Sequence, residues 1–206
     1  MLKIPKRSIL VSVIVALLLL GGVMGGLIAV VRYGASVSRR QPSLDGFSAS
    51  DLSQKAESLV ASGSAETAEK YLERAVELEN QATYRSQLAV VKYRLGKYQE
   101  AIDQYAILIK SGEELAFAYN GQGNAYRDFA DHNSSQKEAL QKRAISAYNL
   151  ALLKDEKYVA SYSNLAQLLW EMGQKDESLI ILDRGITATG KKELSELKNN
   201  LLSTTK

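Results

Sequence analysis

The chain has 206 residues, 46% hydrophobic and 24% charged, with a formal net charge of +3, the balance of a globular protein carrying extra apolar material. It has no cysteine, which excludes disulfides, thiolate metal sites and a cysteine nucleophile. Six of the 26 lysines and arginines precede residue 49, beside the single acid Asp45, so the remainder holds 20 bases and 22 acids and offers no basic footprint for nucleic acid.

Residues 1–8 form a basic flank with Lys3, Lys6 and Arg7. The 23 residues Ile9–Val31 carry no charge, and Ser12 is their one polar side chain. A helix of that length reaches about 34 Å, enough for a hydrocarbon core of about 30 Å. The run is also longer than the roughly 7–15 apolar residues of a cleaved signal. The sequence therefore predicts an uncleaved transmembrane anchor over residues 9–32. Arg32, Arg39 and Arg40 follow it, so bases flank both ends, and the positive-inside rule leans only slightly to an inside N-terminus and an extracytoplasmic domain. Gly21, Gly22, Gly25 and Gly26 give two overlapping G-x-x-x-G spacings. Four residues return to nearly the same helix face, so these glycines admit a second anchor helix closely and permit a homodimer. Residues 33–48, with Ser, Gly, Arg, Gln and Pro42 and no periodicity, read as a flexible stalk.

From residue 49 onward one turn recurs. Gly63, Gly96 and Gly173 each stand two residues before a new helical pattern, at Ala65-Glu66, Tyr98-Gln99-Glu100-Ala101 and Lys175-Asp176-Glu177. The first two glycines are 33 residues apart; the next interval is 77, two periods of 34 plus nine. The hairpin inside that interval is carried by Tyr119, Gly123 and Tyr126, then by Ala144, Tyr148 and Ala151, all at helical spacing. Helical hairpins are expected over 49–81, 82–115, 116–158 with a nine-residue insertion, and 159–192. A closing helix near Lys192–Leu202 has Leu194, Leu197, Leu201 and Leu202 as its apolar stripe.

A 34-residue helix–turn–helix period with these small and aromatic positions resembles the tetratricopeptide repeat family. The third hairpin has Tyr119, Gly123 and Tyr126, with Gln122 in place of leucine. The second has Leu88, Ala89, Ala101, Tyr105 and Leu108, with Arg85 where tryptophan is usual. The fourth has Tyr162, Leu165, Ala166 and Leu169, and the first is the most divergent. The closing proline is replaced by Asn80, Glu113, Glu156 and Gly190. The resemblance implies an all-α fold, a right-handed α-solenoid of about four hairpins with a capping helix, behind the transmembrane helix. Small residues let paired helices approach, tyrosines fill the space between neighbours, and stacking makes one core.

No residue set points to catalysis. His132, the one histidine, lies in Asp131-His132-Asn133-Ser134-Ser135 and reads as a solvated loop residue. The insertion around Asp131–Ala139 is either a face used for binding or a lengthening of the second helix. Gly121-Gln122-Gly123 lies inside a helical pattern and follows no strand, so it is not a nucleotide loop. No enzyme, metal or cofactor is expected.

The resemblance instead implies a concave groove lined by the first helices, which receives a partner peptide or helix. By register that groove presents Tyr93, Phe117, Asn120, Asn124, Arg127, Gln167 and Trp170. Asn120, Asn124 and Arg127 share a face at i, i+4 and i+7, where amide and guanidinium groups suit peptide backbone or a carboxylate. The aromatic residues supply apolar contact. Glu57 stands where two-carboxylate clamps of the family carry a base, which disfavours that ligand class. The expected function is a membrane-tethered interaction scaffold accessory to an envelope, secretion or assembly complex. The alternative is a structural subunit of a membrane complex, joined through the anchor and the solenoid, without a free peptide ligand.

Overall fold

The computed structural model describes residues 43–203. The predicted anchor, its face of Gly21, Gly22, Gly25 and Gly26, and the stalk up to residue 42 lie outside the described residues. Among the described residues no helix is long and apolar enough to cross a membrane.

Nine α-helices follow one another among the described residues: α1 Ala49–Ala61, α2 Ala65–Leu78, α3 Ala82–Arg94, α4 Tyr98–Ser111, α5 Leu115–Asp131, α6 Lys137–Lys154, α7 Val159–Glu171, α8 Lys175–Thr189 and α9 Lys192–Ser203. Each packs on the next, while α5 also touches α3 and α7, so the first helices of the hairpins form a continuous row. This is an all-α helical solenoid. Residues 43–48, at the end of the predicted stalk, belong to it. Leu44 packs on the first core cluster, and Ser48 starts α1 with a reciprocal capping box, its Oγ accepting from Asp51 N at 3.1 Å and its N–H donating to Asp51 Oδ2 at 3.2 Å. That box satisfies two of the N–H groups that a helix start leaves unpaired.

The glycine turns have a common geometry. Gly63, Gly96 and Gly173 sit at φ of 80°, 72° and 81°. The following N–H then reaches back along the helix, Ser64 to Leu59 O at 2.8 Å, Lys97 to Lys92 O at 3.0 Å and Gln174 to Leu169 O at 2.9 Å, the Schellman closure that favours a left-handed glycine. The third hairpin has no glycine at that place, and its first helix continues to Asp131. Its helices run on, α5 to 17 residues and α6 to 18, where the first helices of the other hairpins have 13 and their second helices 14 or 15. The nine extra residues thus lengthen both helices by about one turn, joined by a short 3₁₀ segment at Ser134–Gln136. His132 is exposed at the end of α5, its Nδ1 2.8 Å from Asp128 O and its ring 5.4 Å from that of Tyr98.

Small-to-large packing builds the interior. A Cβ at Gly123 would lie 2.5 Å from the ring of Tyr148, and one at Gly121 would lie 2.3 Å from that of Tyr105. Tyr148 is fully buried, so hydrogen at these two positions is what admits the rings. In α9, Leu194 is buried while Leu197 and Leu201 pack on the last core cluster. Leu202 is 44% exposed and is not part of the stripe, because one residue beyond Leu201 is a step of about 100° around the helix.

Between the first two hairpins lies a buried ionic cluster. Lys92, 5% exposed, donates to Glu69 at 2.8 Å, Glu73 at 2.9 Å and Glu100 at 2.6 Å, and Glu69 also receives Lys97 at 2.7 Å. Burial opposes ionisation of Glu69, but the hydrogen bonds from the two lysines outweigh it and hold the carboxyl below its usual range. Burial likewise opposes the Lys92 charge, and its bonds to Glu100, Glu69 and Glu73 hold the amine above the usual lysine value.

Candidate functional site

The row of first helices carries a ladder of polar side chains one repeat apart. Ser53 Oγ donates to Gln87 Oε1 at 2.6 Å, and Gln87 Nε2 donates to Glu57 Oε1 at 2.6 Å. Further along, Ser161 Oγ and Asn164 Nδ2 both donate to Asn120 Oδ1 at 3.0 Å, while Asn164 Nδ2 and Tyr148 OH donate to Asn124 Oδ1 at 3.0 and 2.8 Å. The carbonyls of Asn120 and Asn124, expected to meet a ligand, are therefore engaged between helices, and Asn120 is buried. Asn164 organises this set and was not singled out from the sequence. Its signal was its distance of 44 residues from Asn120, the same as between the starts of α5 at Leu115 and α7 at Val159.

The other expected groove residues are distributed along the row. Tyr93 donates its hydroxyl to Asp128 on the extended end of α5. Burial first, and then that bond, push its hydroxyl up to about 12. Arg127 is half-buried with Nε 3.0 Å from Asp128 Oδ1; burial disfavours its charge, and Tyr148 and Asp128 more than restore it. Trp170 is half-buried beneath Lys175 Nζ at 5.2 Å from the ring centroid, a cation–π contact. Gln167 is half-buried on α7.

Phe117 lies in an open groove. Where the ladder turns back, with Gln87 drawn toward α1, a hollow of about 480 Å³ opens, its floor formed by Val60, Leu72, Val90, Val91 and Phe117 and its rim by Glu57, Gln87 and Arg94. Phe117 is held by an edge contact with Tyr105 at 6.0 Å. Ser86 and Phe117 also line a second hollow of about 570 Å³, bounded by Glu114, Leu115, Ala116, Asp155 and Tyr158, so the two adjoin at these side chains. Burial, then Asp155 and Glu114, raise the Tyr158 hydroxyl. The helix register missed Val60, Val90 and Arg94. The detectable signal was the i, i+4, i+8 spacing of Ser86, Val90 and Arg94 along α3, which marks a single face.

Chemically, an apolar floor with a charged rim suits recognition of a chain segment. Among the described residues no group of three His, Cys, Asp or Glu could hold a metal ion.

A tetratricopeptide repeat family model matches residues 159–190, which are α7 and α8. No curated protein matches the chain. Among solved structures the chain is similar to a thermophilic tetratricopeptide repeat protein of Thermus thermophilus, with a TM-score of 0.64 at 16% identity over 77% of this chain and 83% of that one. MamA aligns with a TM-score of 0.57 at 19% identity over 68% of this chain and 77% of MamA. A tetratricopeptide repeat protein of Parabacteroides merdae aligns with a TM-score of 0.59 at 17% identity over 75% of this chain and 58% of that one. These similarities are of fold: the chain carries a tetratricopeptide repeat and has the all-α, tetratricopeptide-like solenoid architecture.

Proposed function

We propose that this tetratricopeptide-like solenoid is a membrane-tethered protein–protein interaction scaffold that holds a partner segment in the groove across α1, α3 and α5. The observation that carries the reading is the apolar floor of Val60, Leu72, Val90, Val91 and Phe117, open beside an otherwise hydrogen-bonded row of first helices. The tether rests on the uncharged run Ile9–Val31. An anchored scaffold gains from a raised local concentration of its partner at the membrane. Homodimerisation through Gly21, Gly22, Gly25 and Gly26 would double the grooves presented together.

A photo-crosslinking residue at Arg94, introduced in intact membranes, tests this reading. Val90→Gln with Phe117→Gln removes apolar contact worth about 1.5–3 kcal/mol for one buried side chain, so the partner adduct should fall at least about tenfold. An unchanged adduct removes the groove. Arg127→Glu with Trp170→Ala tests the distal part of the row in the same assay, with a smaller loss expected because both side chains already have internal contacts. Protease access to the solenoid in sealed cells decides the side of the membrane, expected to be extracytoplasmic.

The structural-subunit reading draws on the second helices, where Leu153 is 75% and Ile180 65% exposed. A stoichiometric neighbour crosslinked at those positions and at the anchor, with no adduct at Arg94, would favour it.

A further inference from the structure

Resting on the groove reading, we propose that the occupant is an extended segment of about eight residues with an apolar half and a basic half. The apolar half lies over Val90 and Phe117, and the basic half crosses the starts of α5 and α7. The two adjoining hollows reach from α1 past α3 and α5 to Tyr158 before α7, three helix-to-helix steps. At about 9 Å per step that is roughly 27 Å, which about eight extended residues span at about 3.3 Å each.

Charge decides the polarity of the segment. The first hollow holds Glu57 and Arg94, one charge of each sign, and Glu57 is already occupied by Gln87. The second hollow holds Glu114 and Asp155 without a base in its lining. Asp155 accepts Lys157 N at 2.9 Å through Oδ1, and the Glu114 side chain makes no capping bond to α5. The starts of α5 and α7 contribute about half a positive charge each, so two carboxylates leave this end of the groove negative by about one charge. A basic segment gains there, and an acidic segment is repelled. At the far end Glu57 and Arg94 balance, so bases placed over the apolar floor lose hydration there without a net charge to receive them. A segment basic throughout is therefore disfavoured relative to one that changes character midway.

The test uses the full-length chain in zwitterionic nanodiscs and fluorescence anisotropy at low and moderate salt. The probes are a labelled octapeptide, Val-Leu-Val-Leu-Lys-Arg-Lys-Lys, and its counterpart with four glutamates in place of the bases. The basic probe should bind more tightly, and Glu114→Lys with Asp155→Lys should weaken it about tenfold while strengthening the acidic probe. Val90→Gln with Phe117→Gln, which alters no charge, should weaken both probes. If the two probes bind wild type equally and both are lost in the Val90–Phe117 variant, the basic-segment assignment is overturned while the groove reading stands. If the basic probe binds that variant undiminished, it sits outside the groove and the assignment is also overturned. Absence of binding by the basic probe overturns it too, with the Arg94 crosslink judging the groove separately. Circular dichroism on each variant guards against loss of fold.

Discussion

In the first two hairpins a buried ionic cluster crosses between helices, Lys92 and Lys97 against Glu69, Glu73 and Glu100, beside the Ser53–Gln87–Glu57 ladder. In the third and fourth the crossing set is neutral, with Asn164 bridging Asn120 and Asn124, and Ser161 and Tyr148 closing the set. The position matters as much as the chemistry. The ionic set joins α2, α3 and α4, and none of its members lines the hollow that α1 and α3 form with Val60, Val90 and Val91 beside Glu57 and Gln87. The amide set lies on the inner row itself and occupies it. Similar helical hairpins thus leave an open hollow over α1, α3 and Phe117 and an interlocked set of amides between α5 and α7. A polar residue at a register position that faces a ligand in one repeat can be a structural tie in the next.

The largest expected effect breaks the ionic half. Lys92→Ala leaves the buried Glu69 carboxylate with Lys97 alone, and removing one partner of a buried pair costs about 3 kcal/mol or more, visible as a lowered denaturation midpoint. Next, Gly123→Val drives a side chain into Tyr148, with overpacking near the upper end of about 1–3 kcal/mol; it should lower the midpoint and disrupt the Tyr148–Asn124 bond. A smaller loss is expected in the amide half itself. Asn164→Ala removes two neutral bonds at about 1 kcal/mol each, and its double-mutant cycle with Asn120→Ala should reveal coupling of about 0.5 kcal/mol or more.

pH sharpens the same contrast. The folded Glu69 carboxyl lies below its unfolded value, so its stabilisation is present above the unfolded glutamate value of about 4.3 and is lost as pH falls through the lower folded one. Lys92 lies above its unfolded value, so its contribution is complete below about 10.4 and is lost as pH rises through the folded value. Urea melts of Lys92→Met should show a flatter acid limb than wild type, whereas melts of Asn164→Ala should keep the wild-type slope. The smallest effect concerns Tyr162, fully buried with no hydrogen-bond partner for its hydroxyl among the described residues. Tyr162→Phe relieves an unsatisfied group and should leave stability unchanged or raise it by about 1 kcal/mol.

Much of the fold was legible in residues whose role is local. Gly63, Gly96 and Gly173 announce left-handed turns because a Schellman closure favours a residue without Cβ. Ala89, Gly123 and Ala166 mark close helix approach because their spacing and small volume can be read without a distant partner. The site was less legible. Asn120 and Asn124 carry the same donors and acceptors whether they face a peptide or another helix, and the bonds from Asn164, 40 residues beyond Asn124, engage both carbonyls. Val90 and Arg94 were missed for the converse reason. Their shared face can be read from spacing, but their prominence comes from the neighbours that leave that face uncovered, and no local pattern encodes that.

The sequence by itself determined the helical hairpins, their glycine turns and the apolar run Ile9–Val31, since each follows from backbone sterics or from hydrophobic periodicity within one segment. Tertiary structure alone decided that the insertion lengthens α5 and α6, that the asparagines tie helices together, and that the open groove lies over α1 and α3 and extends to Glu114 and Asp155. Those outcomes depend on which polar groups find a partner across a repeat, and a hydrogen bond between residues 40 or 44 positions apart is a property of the stack.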